Sequence, residues 1–386
     1  MKTNVAWLLG LCAFGACGGG LEINEVAGSR ADALGVPRAS HAGGNKVFGV
    51  MTRNLYLGAN LDPLIAALAT GQNPLPAASS AWATVQATDF PTRALALADE
   101  IATARPHLVG LQEVFKWRYG PPDSIFGGHT PAETIAYDFL SSLLDEVAAR
   151  GLGYRVASEI EHTDMELPAV DLLRGVAASN HLVDIRGTDR DVILVRDDLL
   201  TANADSGHFV NVAPIPGTGL SILRGWASID VKFRGEWLRF VNSHPEPNST
   251  GRGSFNAAQL AELVAELAGA SLPVVLAGDL NALADVPGVP GSAPYQHLLV
   301  QGGFSDAWSR LHPTAAGFTC CQSETLNDPT SALDERIDLI LHRGPISAVS
   351  ATLRGEDPPD LVGGLWPSDH AGVAAELRIT DQKFAE

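Results

Sequence analysis

From Lys46 onward the chain alternates between short apolar runs of period two and stretches whose apolar residues recur every three or four positions. Residues 47–51 read as a strand that runs into Thr52-Arg53-Asn54, and Asp62-Pro63 opens a short helix, with Asp62 as its N-cap, that Gly71 closes. Residues 89–104 carry Ala94, Leu97, Ala98 and Ile101 on one helical face; Arg105-Pro106 stops this helix, and a buried strand follows at 108–111. Thr130-Pro131-Ala132-Glu133 has the form of a capping box. The apolar positions after it, from Ala136 to Val147, predict a helix that ends at Gly151.

The middle is richer in strands. Residues 191–196 form one, and Ile229, Val231 and Phe233 alternate with polar residues before an Arg234-Gly235 turn, which predicts a hairpin with 237–243. A helix over 255–268 presents Leu260, Leu263, Val264 and Leu267 on one side, and further strands are read at 274–278, 336–341 and 371–379. Mixed strands and helices with antiparallel neighbours argue for an α/β or α+β sandwich. No linker interrupts residues 46–380, so they are read as one domain.

The N-terminus has a different character. Lys2 precedes an apolar run from Val5 to Gly15, shorter than the roughly 20 residues of a membrane span, which reads as a signal-peptide core. Phe14-Gly15-Ala16-Cys17 resembles a bacterial lipoprotein cleavage box, with Phe14 where Leu is usual. Residues 1–17 are thus expected to be a leader, with Cys17 lipidated and the protein held at a membrane by that lipid, and 18–45 a flexible tether rich in Gly, Ala and Ser. Of the four cysteines, Cys12 and Cys17 lie in the leader; Cys320 and Cys321 are adjacent, which allows a vicinal disulfide or two free thiols. No cysteine and histidine spacing suits a zinc site.

Composition fits a large buried core, with 46% hydrophobic and 18% charged residues. A net charge of −18 argues against gripping a nucleic acid by charge alone, since phosphate neutralisation supplies most of that affinity.

The candidate chemistry lies where strands end. Asn54, Glu113, His244 and the Asp279-Leu280-Asn281 triplet each follow an apolar run, so their side chains are expected to gather on one rim of a sheet. Asp279 and Asn281 project to the same side if the chain stays extended there, and Gly278 allows close approach by a ligand. Asp338 interrupts an apolar strand and needs a partner, with Arg336 as one choice. Ser368-Asp369-His370 precedes the last strand.

Six blocks carry a resemblance: Thr52-Arg53-Asn54-Leu55, Gly110-Leu111-Gln112-Glu113-Val114, Asn242-Ser243-His244-Pro245-Glu246, Gly278-Asp279-Leu280-Asn281-Ala282, Arg336-Ile337-Asp338-Leu339-Ile340 and Ser368-Asp369-His370. In this order they resemble the endonuclease/exonuclease/phosphatase superfamily of DNase I-like hydrolases. The resemblance implies a four-layer α/β sandwich, two mixed β-sheets packed face to face with helices outside. It also implies Glu113 as principal metal ligand with Asn54 beside it and Asp369 joining, and His370 as general base or phosphate-polarising group paired with Asp338. Asp279 would orient or deprotonate water, Asn281 would donate to the phosphoryl oxygen, and His244 would contact the phosphate. Oxygen donors without thiolate favour Mg²⁺ or Mn²⁺.

The function expected is an exported, metal-dependent phosphoesterase acting on a small or lipid-derived phosphodiester. The alternatives are a secreted nuclease and an inactive surface binding protein of the same fold. Arg118, Arg224 and Arg252 are candidate contacts to substrate phosphate. Residues 115–190, where specificity is expected to reside, carry no pattern that identifies the substrate.

Overall fold

Alternation sorts side chains between two environments on every central strand, and this explains the layers. The computed structural model describes residues 46–124, 130–173, 181–247 and 253–380. In chain order the elements are β1 (Val47–Asn54), α1 (Asp62–Ala69), α2 (Leu75–Ala87), α3 (Phe90–Ala104), β2 (Leu108–Gln112), β3 (Lys116–Gly120), β4 (Thr134–Asp138), α4 (Phe139–Ala149), β5 (Tyr154–Val170), β6 (Leu182–Arg196), β7 (Leu200–His208), β8 (Ala213–Ile215), β9 (Leu220–Ile222), β10 (Gly225–Phe233), β11 (Glu236–His244), α5 (Gly253–Leu267), β12 (Val274–Asp279), α6 (Ala293–Val300), β13 (Ser305–Asp306), α7 (Ala307–Leu311), β14 (Asp338–Arg343), β15 (Ile346–Arg354) and β16 (Gly372–Ile379).

One mixed sheet runs β15-β16-β1-β2-β6-β3-β4, with β5 along the other edge of β6; a second runs β13-β14-β12-β11-β10-β7. On β1 and β12, Val50, Val275 and Ala277 turn toward the partner sheet and pack with Phe48, Ile193, Ile229 and Phe240. Their neighbours Met51, Val274 and Leu276 turn outward. Met51 meets Leu97 and Ile101 of α3 and Phe139 of α4, whereas Val274 and Leu276 meet Leu260 and Leu263 of α5 and Leu298 of α6. The result is the four-layer α/β sandwich, helices outside two facing sheets.

The capping-box reading of residues 130–133 is corrected. Residues 134–138 pair with β3 as an antiparallel strand, and α4 starts only at Phe139. Glu133 does not turn back to a helix N-terminus; it bonds Arg186 at 2.7 Å, and the Thr-Ile-Ala-Tyr run suits a strand. Asp62 is also not a cap: Leu61 holds that position, and Asn60 accepts the Asp62 N–H. The leader, the tether and Arg252 lie outside the described residues. Among the described residues, no helix is long and apolar enough to cross a membrane. Cys320 and Cys321 are joined in a vicinal disulfide.

Candidate active site

Topology alone brings the polar strand ends together. β1 is parallel to β2, and β11 to β12, so Asn54, Gln112, His244 and Asp279 leave their strands in the same sense within each sheet. β14 and β16 are antiparallel to their neighbours and therefore begin at that rim; Asp338 lies directly opposite Asp279 in register. The sheets are tied there by Asn242, which donates to the carbonyls of Leu111 (2.8 Å) and Val192 (3.2 Å) and accepts from Gln112 (2.6 Å). Two buried arginines hold the loops. Arg93 donates to the carbonyls of Leu55, Tyr56, Thr88 and Pro367, and Arg53 joins Glu100 to the carbonyl of His370. Ser368 Oγ donates to the Asn54 carbonyl at 2.8 Å, fixing the last segment against the first.

Asp279 is the hub. Its Oδ2 accepts from Asn54 Nδ2 at 3.1 Å and lies 3.4 Å from His244 Nε2 and 3.8 Å from His370 Nε2. His370 Nδ1 is 2.8 Å from Asp338 Oδ2, so Asp338 takes the histidine as partner, while Arg336 pairs with Asp306 at 2.6 Å. Burial disfavours charge on His370, but Asp338, Asp369 and Asp279 together raise its pKa well above the ordinary value. Burial pushes Asp279 and Asp369 up, opposed by His370 and aided by the other carboxylates.

Glu113 and Asp369 face a neighbouring cavity. Glu113 sits at φ 53°, a left-handed conformation after β2, and its Oε2 accepts the Leu57 N–H at 2.6 Å. Asp369 Oδ1 lies 4.0 Å from His370 Nε2. Carboxylates that push one another's pKa up form a donor set short of positive charge, made of hard oxygens; that suits a divalent cation such as Mg²⁺ or Mn²⁺. The sulfur atoms of Cys320 and Cys321 approach His370 but are bonded to each other.

Two expectations need correction. Strand β12 ends at Asp279 and Asn281 turns to φ 49°, so the two side chains do not project together; Asn281 donates its backbone N–H to Asp279 Oδ1 and its amide to the Pro245 carbonyl. Gly278 makes room for protein: a Cβ there would lie 2.0 Å from the Ser243 carbonyl oxygen of the next strand. Asn54 donates to Asp279 and accepts the Tyr56 N–H, which fixes its amide at the rim; its oxygen retains a second acceptor site.

Of the arginines named as phosphate contacts, Arg118 donates to Thr188 Oγ1. Arg224 enters the site by another route. Its Nη1 lies 2.9 Å from His244 Nδ1 and 3.3 Å from Asp189, and its Nε lies 3.4 Å from Glu246. Behind His244 are the buried Asp191, 4.0 Å away, and His162, 3.1 Å from Asp191. Burial raises Asp189 to about 6 and lowers His162 to about 4. The Asp189-Arg190-Asp191 triplet immediately before the apolar run Val192–Val195 is the sequence signal for this cluster.

The cavity beside Glu113 measures about 410 Å³. Its walls come from the loop after β1, from α1, β3, β5 and the β8–β9 hairpin.

Residues 84–370 match the sequence model of the Endonuclease/Exonuclease/phosphatase family. No curated protein matches the chain. Among solved structures, an endonuclease/exonuclease/phosphatase from Beutenbergia cavernae DSM 12333 is similar at 21% identity and TM-score 0.53, covering 88% of this chain and 73% of that one. A family protein from Leptotrichia buccalis C-1013-b aligns at 13% identity and TM-score 0.50, over 86% and 99% of the two chains. The human Nocturnin catalytic domain aligns at 17% identity and TM-score 0.47, over 87% and 96%. At these identities the likeness is one of fold.

Proposed function

Since the chain belongs to the endonuclease/exonuclease/phosphatase family, we propose that it is an exported, divalent-metal-dependent phosphoesterase whose substrate is a small or lipid-derived phosphodiester. The observation that carries this reading is the convergence on Asp279 of His244, His370 and Asn54, next to the Glu113 and Asp369 carboxylates.

Hydrolysis joins a water oxygen to phosphorus and breaks the bond to one ester oxygen, which leaves with a proton. Glu113 and Asp369 would hold Mg²⁺ or Mn²⁺, which supplies charge neutralisation at the phosphoryl oxygens. Asp338 fixes the His370 ring through Nδ1, so Nε2 is presented to the space shared with Asp279 and Asp369. The separations of 3.8 and 4.0 Å around Nε2 are too long for direct hydrogen bonds, so Nε2 is not committed to either carboxylate. Asp279 orients the attacking water and accepts its proton. His244, kept neutral by burial and by Arg224, donates a hydrogen bond without transferring its proton, whereas His370, favoured as the cation by its carboxylate neighbours, is the group able to supply the leaving oxygen's proton. Asn281 Nδ2 donates one hydrogen to the Pro245 carbonyl at 3.0 Å, which orients the amide, and its second hydrogen would serve the phosphoryl group.

The substrate preference is supported by the net charge of −18 and by the internal engagement of Arg118 and Arg224, which leaves those arginines poor grips for a polynucleotide. Export and attachment through a lipidated Cys17 are supported by the apolar leader and its Phe14-Gly15-Ala16-Cys17 box. Purified protein lacking the leader should be offered bis-p-nitrophenyl phosphate, sphingomyelin and plasmid DNA with Mg²⁺ or Mn²⁺. Cleavage of a small or lipid diester with DNA intact supports the reading. Preferential DNA cleavage makes the protein a nuclease, and no cleavage across a broad phosphoester panel makes it a binding protein.

A further inference from the structure

We propose that the cavity beside Glu113 receives a linear hydrocarbon chain carried on one ester oxygen of the substrate; this deepens the phosphoesterase reading and rests on it. At about 410 Å³ the cavity falls within the range of small-molecule sites, about 300–1,000 Å³. Leu64, Ile65, Phe115, Trp117, Met165 and Ile222 line it, contributed by separate elements. Glu113 and Asp369 also line it, so a phosphate held by these carboxylates through a cation would have its ester substituent beside an apolar chamber.

The polar ends of the aromatic wall are already engaged. Trp117 Nε1 donates to the Leu57 carbonyl at 3.0 Å and Tyr56 OH to the Glu324 carbonyl at 2.9 Å. These rings therefore present carbon to an occupant, and Met165 supplies an adaptable thioether. Charge points the same way. The cavity's ionisable residues are Asp62, Glu113, Asp189, Glu324 and Asp369, against Arg224, which is engaged by Asp189, Glu246 and His244. A phosphate backbone threaded through would add anions to an acidic wall. A hydrocarbon adds none and gains the transfer of each methylene out of water, about fourfold in affinity per methylene at full burial.

The test uses p-nitrophenyl diesters of methyl, butyl and octyl phosphate, which share one leaving group, each below its micelle concentration and with saturating Mg²⁺. The prediction is a rise in kcat/KM of at least tenfold from methyl to octyl, and a fall of at least fivefold in the octyl-to-methyl ratio in Ile222→Asp. Met165→Gln serves as a second variant should Ile222→Asp misfold. Metal-dependent turnover with a ratio within twofold of unity overturns the inference and leaves the phosphoesterase reading standing. If no ester is turned over, the phosphoesterase reading fails, and tryptophan fluorescence still decides about the cavity. Octyl phosphate should then saturate at a concentration at least tenfold lower than methyl phosphate in the wild type and not in Ile222→Asp. Equal titrations overturn the assignment of the cavity.

Discussion

Arg224 Nη1 lies 2.9 Å from His244 Nδ1 and 3.4 Å from Nε2, so Nδ1 is the nearer partner of the guanidinium. A guanidinium only donates, so Nδ1 accepts and the proton sits on Nε2, which faces Asp279 Oδ2 at 3.4 Å. Burial and the Arg224 charge together hold His244 well below the ordinary histidine pKa. His244 is thus a neutral donor at neutral pH, in contrast to His370, whose three carboxylate neighbours favour the cation. Two histidines on one carboxylate are driven to opposite protonation states by their second partners.

Replacing Arg224 should therefore do two separable things. Arg224→Met removes the cation beside Glu246 and Asp189 in a buried setting, a loss of about 3–5 kcal/mol measurable by denaturant unfolding. Arg224→Lys keeps the charge and should restore most of the stability. Its shorter, non-planar head should not reproduce the His244 contact, so kcat should remain depressed. Full activity in Arg224→Lys would show that the His244 contact is dispensable.

Asp338→Asn removes the nearest carboxylate that favours charge on His370. The His370 pKa must then fall, so the limb of the kcat/KM profile that it governs should move to lower pH by roughly 1–3 units. Activity at neutral pH should drop about 10²–10⁴-fold. An unmoved profile would separate Asp338 from the titration.

In the metal-free protein the stability contributed by Asp279, Asp369 and His370 should fall as pH rises, against the opposite contribution of His162 and His244. Asp279 and Asp369 have raised pKa values in the folded state, so between the ordinary carboxylate value, about 3.9, and the raised values the folded chain binds more protons than the unfolded one. Their contribution falls with pH across that interval. His370 acts in the same direction, its contribution being full below the ordinary histidine value and lost as pH climbs through the raised one. A bound divalent cation replaces the missing positive charge. Mg²⁺ at 100 times its Kd should contribute about 2.7 kcal/mol, and its effect on Tm should be larger at pH 8 than at pH 5. An equal Tm shift at both pH values would contradict the metal assignment.

Much of this was legible in the sequence because a sandwich puts its chemistry at strand ends, and strand ends are visible as polar residues after apolar runs. Asn54, Glu113, His244 and Asp279 were found that way, and Asp369-His370 as a polar pair just before the last strand. What failed depended on pairing. β5, 17 residues long, was missed because register shifts at Val156/Ser158 and Glu161/Asp164 break its alternation, and most of its residues are only half-buried. α2 was missed because its Ala-Ser sequence gives a weak apolar stripe around Trp82 and Val85. The Asp279–Asn281 spacing misled because the left-handed turn at Asn281 ends the period of two. Arg224 was noticed, but its His244 contact requires β10 and β11 to be aligned with Gly225 opposite His244, which no local pattern shows.

Asn242 is a structural test of the same rim. Asn242→Ala removes a donor from the Leu111 and Val192 carbonyls and an acceptor from Gln112 Nε2, which keeps its bond to Thr52 Oγ1, in a buried seam between the sheets, at a cost of about 1–3 kcal/mol. Gly110 already yields space to this side chain, since a Cβ there would lie 2.7 Å from Asn242 Oδ1. Urea unfolding with an unchanged midpoint would show that the sheets do not depend on this clamp.

The central claim is that Glu113 supports metal-dependent phosphoester hydrolysis at the Asp279–His370 rim. The most direct measurement is hydrolysis of bis-p-nitrophenyl phosphate as Mg²⁺ or Mn²⁺ is titrated, for the wild type and for folded Glu113→Ala and His370→Ala. The account predicts saturable metal activation in the wild type, loss of that activation in Glu113→Ala, and a kcat lowered about 10²–10⁴-fold in His370→Ala. Metal-activated turnover that survives Glu113→Ala unchanged would contradict it.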